Sequence, residues 1–194
     1  KVKDVDLVGL YSRNREITES NSKIFSCIAW KTQEEMLNDA SLDAVYLSTP
    51  SGLHYKQGVE VLNSGKHLWS EKPLTMSLEH TEDLIGLANR SSLSVCEGFM
   101  YFYHPQYLEI KKLIREEIFG EIKLLRIEFG LPMFELSGFR ANKNLGASCL
   151  YDVGSYPLSI ILDLLEINKL DIKSSFKRCN KTTLVDEEGG CELV

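Results

Sequence analysis

Short apolar runs alternate with helical patterns along the first half of this 194-residue chain. The apolar runs read VDLVGLYS, FSCIAW, DAVYLST, KHLWS and LSVCE, and helical spacing occurs between them in TQEEMLND, LHYKQGVEVLNSG and residues 77–90. A helix between two strands carries the chain back across the sheet, so the two strands pair in parallel. The sequence therefore predicts an α/β fold with a doubly wound parallel sheet.

The pattern changes in the second half of the chain. The helical segment PQYLEIKKLIREE begins with Pro105 at a first-turn position, and the alternating run at residues 121–130 predicts a strand. An apolar helix at YDVGSYPLSIILDLLE and strand-like residues at the end follow. We therefore predict two domains, residues 1–100 and an α+β domain over residues 101–194, with the boundary near Gly98 to His104.

The composition narrows the classes of partner. With 43% hydrophobic and 26% charged residues, it is typical of a soluble globular protein. The formal charge of −6, with Lys and Arg interleaved among acids, argues against a nucleic-acid surface. No apolar run approaches the roughly 20 residues that span a bilayer, so we expect no membrane partner and a cytoplasmic location. The five scattered cysteines predict buried free thiols rather than disulfides or zinc, and no other cluster has metal-ligand spacing.

Polar residues follow several predicted strands at the edge where a doubly wound sheet binds its ligands. They come after VDLVGLYS, DAVYLST and KHLWS, and the segment EGFMYFYHP follows the last strand. The candidates, in chain order, are Ser12, Arg13, Thr49, Pro50, His54, Glu71 and Lys72.

A second group of candidates lies in YDVGSYP. Asp152 and Tyr156 are four residues apart in a helical pattern, so both can face one pocket. The alternatives are structural, because a tyrosine in an apolar helix is most often part of the core and an aspartate near a helix N-terminus is most often a cap.

The order of these motifs is more specific than any one of them. EKP at a strand end is preceded by TP with a histidine and followed, much later in the chain, by DVGSYP. This set resembles the oxidoreductase family of glucose-fructose oxidoreductase and inositol dehydrogenase (Gfo/Idh/MocA). The resemblance extends through GFRANKNLGASCLYDVGSYPL and covers nearly the whole chain.

The resemblance implies an enzyme that moves a hydride between a nicotinamide cofactor, NADP or NAD, and the CH–OH group of a small-molecule substrate such as a sugar, polyol, sugar nucleotide or dihydrodiol. The cofactor binds in a Rossmann domain and no metal is needed. An open, largely antiparallel sheet in the second domain forms a homo-oligomer.

The resemblance also implies roles for individual residues. Lys72 matches the family's catalytic lysine, which transfers the hydroxyl proton, and Tyr156 matches a tyrosine or histidine that shares this proton. Asp152 matches an acid that contacts the substrate or the lysine, and Arg140 lies near the substrate loop. The Lys72–Pro73 peptide bond is expected to be cis, as in relatives.

For three candidate residues, both a functional and a structural interpretation remain. Lys72 is either this catalytic group or a solvated lysine at a turn. Glu71 either holds the Lys72 ammonium group in place or is a surface acid. His54 either contacts the nicotinamide region or has a capping and packing role at a helix start. His104, before Pro105, is expected to order the domain junction.

The residues after the first strand favour NADP. An NAD site has Asp or Glu at the end of the second Rossmann strand, whereas a 2′-phosphate binds an arginine and a hydroxyl. LYSRNR offers Ser12, Arg13 and Arg15 and no acid.

The sequence departs from the family pattern in two ways. It contains no G-x-G-x-x-G turn, so we expect that it begins at the second Rossmann strand, is an internal fragment and, as printed, binds dinucleotide poorly. Phe102 stands where many relatives have an arginine, and Ala147 and Ser148 replace glycines, changes that bear on substrate identity.

Two other classes of function are open at this point. Some proteins of this fold are non-catalytic, dinucleotide-sensing regulators, and others have only a structural or assembly role. Regulators typically lose the lysine, so the presence of Lys72 and Tyr156 favours an enzyme.

Overall fold

The computed structural model of the protein describes residues 4–131, 138–165 and 170–194. Its first half alternates strands and helices as the sequence predicts. In chain order these are β1 (Gly9–Leu10), α1 (Arg15–Phe25), β2 (Ile28–Ala29), α2 (Gln33–Leu37), β3 (Ala44–Leu47), α3 (Ser51–Asn63), β4 (His67–Ser70), α4 (Leu78–Arg90) and β5 (Val95–Glu97).

The strands of the first half pair in parallel, which confirms the predicted sheet type. β1 pairs with β2, and β3, β4 and β5 form a three-stranded sheet in that order. In the described residues these two parallel pieces share no strand hydrogen bonds. Leu47, Ser70 and Glu97 are in register at the carboxyl ends of β3, β4 and β5. The residues that follow these strands therefore begin at one sheet edge.

The core lies under one face of the three-stranded sheet. Along β3 and β4 every second side chain is buried, and α3 and α4 pack on the face that these side chains form. Leu62, Leu68 and Leu84 are almost completely buried at its centre. Tyr46 and Trp69 project from the opposite face, where they are about half exposed beside an open cleft of about 700 Å³.

Local capping explains where most of these helices begin. The side chains of Asn14, Thr32 and Ser77 accept hydrogen bonds from backbone N–H groups of the first turn of α1, α2 and α4. By contrast, α3 begins after Pro50 without a side-chain cap. The first N–H groups of α3 are thus left for contacts from outside the helix.

The second half contains two more helices and a hairpin. They are α5 (Pro105–Arg115), α6 (Ser155–Leu164), β6 (Ile172–Cys179) and β7 (Asp186–Leu193), with 3-10 turns at Met100–Tyr103, Gly138–Ala141 and Lys143–Leu145 and a π-helical turn at Leu150–Gly154. β6 and β7 pair in antiparallel fashion. Pro105 opens α5 at its first turn, as predicted, with His104 as its cap, and the predicted domain boundary falls on the preceding 3-10 turn.

The strand predicted at residues 121–130 is wrong. These residues form no strand and pair with no other segment in the described part of the chain. The alternating pattern shows that the segment has one apolar side, as a half-buried strand does. A strand also needs a neighbouring strand for its backbone hydrogen bonds, and the described part of the chain has none beside residues 121–130.

The segment Lys143–Leu164 has the length and mean hydropathy (1.2) of a candidate membrane span. Core helices of soluble proteins pass the same test, and this segment combines a 3-10 turn, a π-helical turn and α6. It also contains Asp152, which is ion-paired to Lys72. The absence of a membrane partner remains a prediction.

The cysteine prediction needs a correction. All five cysteines lie in described residues and have free thiols, but none is buried: Cys27 and Cys149 are partly exposed, and Cys96, Cys179 and Cys191 are exposed. Cys96 lies on the open face of β5, and the other two lie on the hairpin strands.

Replacing Leu84 tests the core. Leu84 is 0% exposed, so Leu84→Ala leaves a cavity and should lower the free energy of unfolding by about 2–5 kcal/mol. Leu78→Ala is the matched control on the same helix, because Leu78 is 72% exposed, and it should change stability by less than about 0.5 kcal/mol. Urea denaturation measures both variants, and equal losses would contradict this description of the core.

Candidate functional site

Lys72 lies in the turn that follows β4, and its peptide bond to Pro73 is cis, as predicted. The Lys72 side chain is only 11% exposed. Its Nζ lies 3.0 Å from Oδ1 of Asp152 and also donates to the backbone carbonyl oxygen of Asp152. The interpretation of Lys72 as a solvated turn residue is therefore wrong, because its ammonium group points inward and is paired.

Asp152 connects this lysine to an arginine. Its second carboxylate oxygen, Oδ2, accepts a hydrogen bond of 3.1 Å from Nε of Arg140. Burial alone would raise the pKa of Asp152, but the hydrogen bond and charge of Lys72, followed by those of Arg140, outweigh burial and lower this pKa below its usual value. The carboxylate is thus held ionised between two cations.

The π-helical turn that carries Asp152 is fixed from the hairpin. Oδ2 of Asp186 in β7 accepts hydrogen bonds from Ser148 Oγ at 2.8 Å and from the backbone N–H of Leu150 at 2.9 Å. Burial opposes ionisation of Asp186, but these bonds more than compensate and lower its pKa. A carboxylate at the start of a helical segment satisfies N–H groups that have no partner within the helix.

Tyr156 lies against the same lysine. Lys72 Nζ is 5.0 Å from the centre of the Tyr156 ring, which stacks on Phe129 and meets Phe99 edge-on. Its hydroxyl is 4.0 Å from Sδ of Met100. Burial, followed by the charges of Glu71 and Asp152, raises the pKa of Tyr156, so the phenol keeps its proton at neutral pH.

The structure therefore brings Asp152 and Tyr156 to Lys72, as their spacing predicts, and places Arg140 on the far side of Asp152. All four side chains meet where the turn after β4 faces the segment before α6.

Glu71 does not hold the ammonium group of Lys72, so this interpretation is wrong. Its carboxylate accepts a hydrogen bond from the hydroxyl of Tyr46 on the neighbouring strand β3. Burial, and then Glu71, raises the pKa of Tyr46 to about 12. Strand pairing explains this partner, because Tyr46 is in register with Trp69, two residues before Glu71. Asp152 takes the place beside Lys72 instead.

His54 is 1% exposed and both of its ring nitrogens face carbonyl oxygens. Nδ1 lies 2.8 Å from Pro73 O, and Nε2 lies 2.7 Å from Thr49 O. This geometry favours the packing interpretation of His54, because neither nitrogen is free for a ligand. Thr49 also donates through Oγ1 to Gln57, and Pro50 precedes the uncapped start of α3.

Ser12 and Arg13 follow β1 and are both exposed. Ser12 is part of the helix start, because its backbone N–H and its hydroxyl both contact Oγ1 of Thr18. Arg15 pairs with Glu19 and donates to backbone carbonyl groups near β2, which makes it a structural residue. Of these residues, Arg13 is thus the better candidate for a cofactor phosphate.

These candidates suit a dinucleotide at the carboxyl edge of the sheet. They follow β1, β3 and β4, and they combine an exposed guanidinium group, an uncapped helix start and an inward-pointing lysine. In the described residues no group of three or more His, Cys, Asp or Glu side chains could hold a metal ion.

Sequence reasoning missed Glu97 and Asp186. Glu97 ends β5, and its Oε1 accepts a hydrogen bond of 2.7 Å from the backbone N–H of Leu74. Burial raises the pKa of Glu97, although the Leu74 bond and the charges of His54 and Lys72 oppose this rise. Inspecting the last residue of each strand would have found Glu97. Asp186 is remote in sequence from the residues it fixes and gives no comparable signal.

Family comparisons agree with this geometry. Residues 1–99 match the GFO_IDH_MocA family model, described as "Oxidoreductase family, NAD-binding Rossmann fold". The chain belongs to the Gfo/Idh/MocA oxidoreductase family. Residues 107–189 match the GFO/IDH/MocA C-terminal domain.

Curated relatives are sugar-nucleotide reductases and dihydrodiol dehydrogenases. The chain is 28% identical, over 97% of its length and 59% of the relative's, to dTDP-3,4-didehydro-2,6-dideoxy-alpha-D-glucose 3-reductase of Saccharopolyspora spinosa. It is 31% identical, over 69% of its length and 40% of the relative's, to trans-1,2-dihydrobenzene-1,2-diol dehydrogenase of Danio rerio. The chain thus spans about half the length of these curated relatives, 59% of one and 40% of the other.

A solved structure shows the same fold. KijD10, a 3-ketoreductase from Actinomadura kijaniata in complex with NADP and TDP-benzene, has a TM-score of 0.91 at 26% identity, over 97% of this chain and 57% of that chain. The family and this neighbour agree with the nicotinamide cofactor that the sequence predicts.

Neutralising Asp152 tests the ion-paired cluster. Asp152→Asn should lower the free energy of unfolding at pH 7 by about 1.5–3 kcal/mol, the range for hydrogen bonds to charged groups. Because the folded-state pKa of Asp152 is lowered, its contribution is complete above the unfolded value of about 3.9 and is lost as the pH falls through the folded value. The wild type and the variant should therefore converge in acid.

Urea unfolding from pH 7 down to pH 2.5 measures this convergence. Asp43→Asn, at an exposed aspartate before β3, is the control and should differ little from the wild type throughout. A stability difference for Asp152→Asn that stays constant across the pH range would show that charge pairing is not its source.

Proposed function

We propose that the full-length protein is an NADP-preferring oxidoreductase that acts on the CH–OH or keto group of a sugar, sugar nucleotide, polyol or dihydrodiol. The contact of Lys72 with Asp152 and Tyr156 supports the proposal, because an amine and a phenol, groups able to exchange a proton with a substrate oxygen, lie together at the carboxyl edge of a family-matched parallel sheet. The named activities of the relatives support the substrate class.

The nicotinamide supplies or accepts the hydride at the substrate carbon. The chain's own residues manage the proton at the substrate oxygen. In the reduction direction the Lys72 ammonium group donates a proton to the substrate oxygen as the carbon gains the hydride and Lys72 becomes a neutral amine; in oxidation, the reverse step, the neutral amine form of Lys72 accepts the hydroxyl proton. Tyr156, which keeps its phenolic proton at neutral pH, donates a hydrogen bond to the same oxygen.

Solved structures of KijD10 support the choice of these two residues. They include variants of one lysine and of one tyrosine, and the two positions are separated in that chain by the same number of residues as Lys72 and Tyr156. The non-catalytic alternative gains no support, because Lys72, Asp152 and Tyr156 are all present and in contact.

The proposal also covers the oligomeric state and the cellular location of the protein. The hairpin of β6 and β7 has exposed apolar side chains, including Ile172 at 71% and Phe176 at 59% exposure. An uncovered sheet face of this kind supports a homo-oligomer formed through the C-terminal sheet. We place the protein in the cytoplasm and expect neither nucleic acid nor membrane as a partner.

Replacing Lys72 tests the chemistry in the full-length protein. Lys72→Met should lower turnover by roughly 10²–10⁴-fold, the usual cost of losing a general acid or base, with the KM for the cofactor nearly unchanged. Tyr156→Phe should cost less, since the lysine remains. The absorbance of reduced cofactor with a panel of sugar nucleotides, polyols and dihydrodiols measures turnover.

The control for this experiment is Lys56→Met, on the exposed side of α3, which should retain full activity. If the Lys72→Met enzyme turned over substrate at the wild-type rate, the proton-transfer role of Lys72 would have to be abandoned.

Replacing Arg13 tests cofactor preference. If Arg13 binds the 2′-phosphate, Arg13→Ala should raise the KM for NADP by about 10- to 100-fold, equivalent to the 1.5–3 kcal/mol of a charge-assisted hydrogen bond, and should leave the KM for NAD nearly unchanged. Lys23→Ala, in the last turn of α1, is the matched control. An unaltered ratio of the two KM values would contradict the assignment.

A further inference from the structure

The turn after β4 depends on side chains from two other elements. Within the turn, the N–H of Glu71 donates to Leu47 O of β3, which anchors its start. Beyond the lysine, the carbonyl oxygen of Pro73 faces Nδ1 of His54 from α3, and the N–H of Leu74 donates to Oε1 of Glu97 at the end of β5. Both groups of the Pro73–Leu74 peptide bond therefore contact side chains: the N–H donates to Glu97, and the carbonyl oxygen accepts from His54 in the tautomer that carries its hydrogen on Nδ1.

The contact of His54 with Pro73 O is buried: His54 is 1% exposed, so water cannot readily replace the imidazole. The contact between Leu74 and Glu97 is part-buried, because Leu74 is 7% exposed whereas Glu97 has intermediate exposure. An imidazole ring carries a hydrogen on at least one nitrogen, and both nitrogens of His54 face carbonyl oxygens, Pro73 O and Thr49 O. His54 thus ties the loop before α3 to the turn that carries Lys72. Glu97 ties the same turn to β5.

We propose that His54 and Glu97 are positioning residues that clamp the Leu74 side of the turn and thereby aim the Lys72 ammonium group at Asp152. Neither residue needs to touch substrate or cofactor, because both act through the peptide bond between Pro73 and Leu74. The inference deepens the proposed function, on which it rests only for its effect on turnover.

The physical argument concerns the freedom of a long side chain. A lysine has four side-chain torsions and loses much rotamer entropy when its ammonium group is held in one place. Small shifts of its Cα would move Nζ away from an acceptor at 3.0 Å. The contacts of Pro73 O with His54 and of the Leu74 N–H with Glu97 limit the movement of the Lys72 Cα, so fewer side-chain conformations compete with the one that reaches Asp152. Burial raises the pKa of Glu97, which agrees with its partly enclosed position.

The first experiment reads Lys72 directly and needs no activity. In the full-length protein, lysines are dimethylated with ¹³C-formaldehyde, and the Lys72 signal is assigned by its absence in Lys72→Met. We expect one resolved signal, distinct from the exposed lysines, in the wild type and in Glu97→Gln, whose amide oxygen can still accept from Leu74. In Glu97→Leu and His54→Leu the signal should move to the position of exposed lysines.

The second experiment measures coupling in turnover. Glu97→Leu and His54→Leu should each lower kcat by about 10- to 100-fold in the Lys72 enzyme, with Glu97→Gln restoring most of it. In the Lys72→Met background neither change should lower the residual rate further, because residues that act through one group are not additive. Leu62→Ala, which destabilises the core at a distance from the turn, is the control and should leave the Lys72 signal unchanged.

The outcomes separate this inference from the proposed function. An unmoved Lys72 signal in both leucine variants, or full additivity in the Lys72→Met background, would overturn the positioning role. If Lys72→Met kept its turnover while the leucine variants still displaced the Lys72 signal, the proposed function would fail and the clamp would stand.

Discussion

The contact between Lys72 and Asp152 is the interaction on which the candidate site depends. It joins residues 80 positions apart, one in the turn after β4 and the other in the π-helical turn before α6. A largely buried ammonium group is costly unless it is paired and hydrogen-bonded. Asp152 supplies both a carboxylate oxygen and a backbone carbonyl oxygen, so the pairing is complete. Without this ion pair, each half of the chain would contribute isolated side chains, and they would not form a single site.

Close backbone contacts hold the halves near enough for this pair to form. A Cβ atom on Gly52, at the start of α3, would lie 2.8 Å from Asn144 O, and one on Gly146 would lie 2.7 Å from Gly52 N. Gly146 also has a φ of +86°, which only glycine adopts readily. The hydroxyl of Tyr151 donates to Met76 O across the same boundary. Glycines at this boundary therefore have a packing reason as well as a conformational one.

The sequence predicts the parts of this site that are set locally. Apolar runs predict the strands, and the rule that ligands bind at strand ends singles out Lys72, which the structure shows in an ion-paired cluster. Sequence reasoning fails where a residue's partner depends on which elements lie side by side. Glu71 accepts a hydrogen bond from Tyr46 because β3 lies beside β4, and the local sequence does not show which strands are neighbours. The strand expected at residues 121–130 fails for the same reason, because alternation describes one segment and a strand requires two.

The charge balance of the cluster connects its geometry to its chemistry. Lys72 and Arg140 share one carboxylate, so the three groups together carry one net positive charge close to the ring of Tyr156. Asp152 keeps its negative charge because its pKa is lowered. It therefore orients both cations while one positive charge remains on the cluster. A fixed positive charge in a partly enclosed site favours negative charge that develops on a substrate oxygen when hydride is transferred. The Arg140 side chain, at 41% exposure, is the most exposed of the three charged groups, compared with 32% for Asp152 and 11% for Lys72.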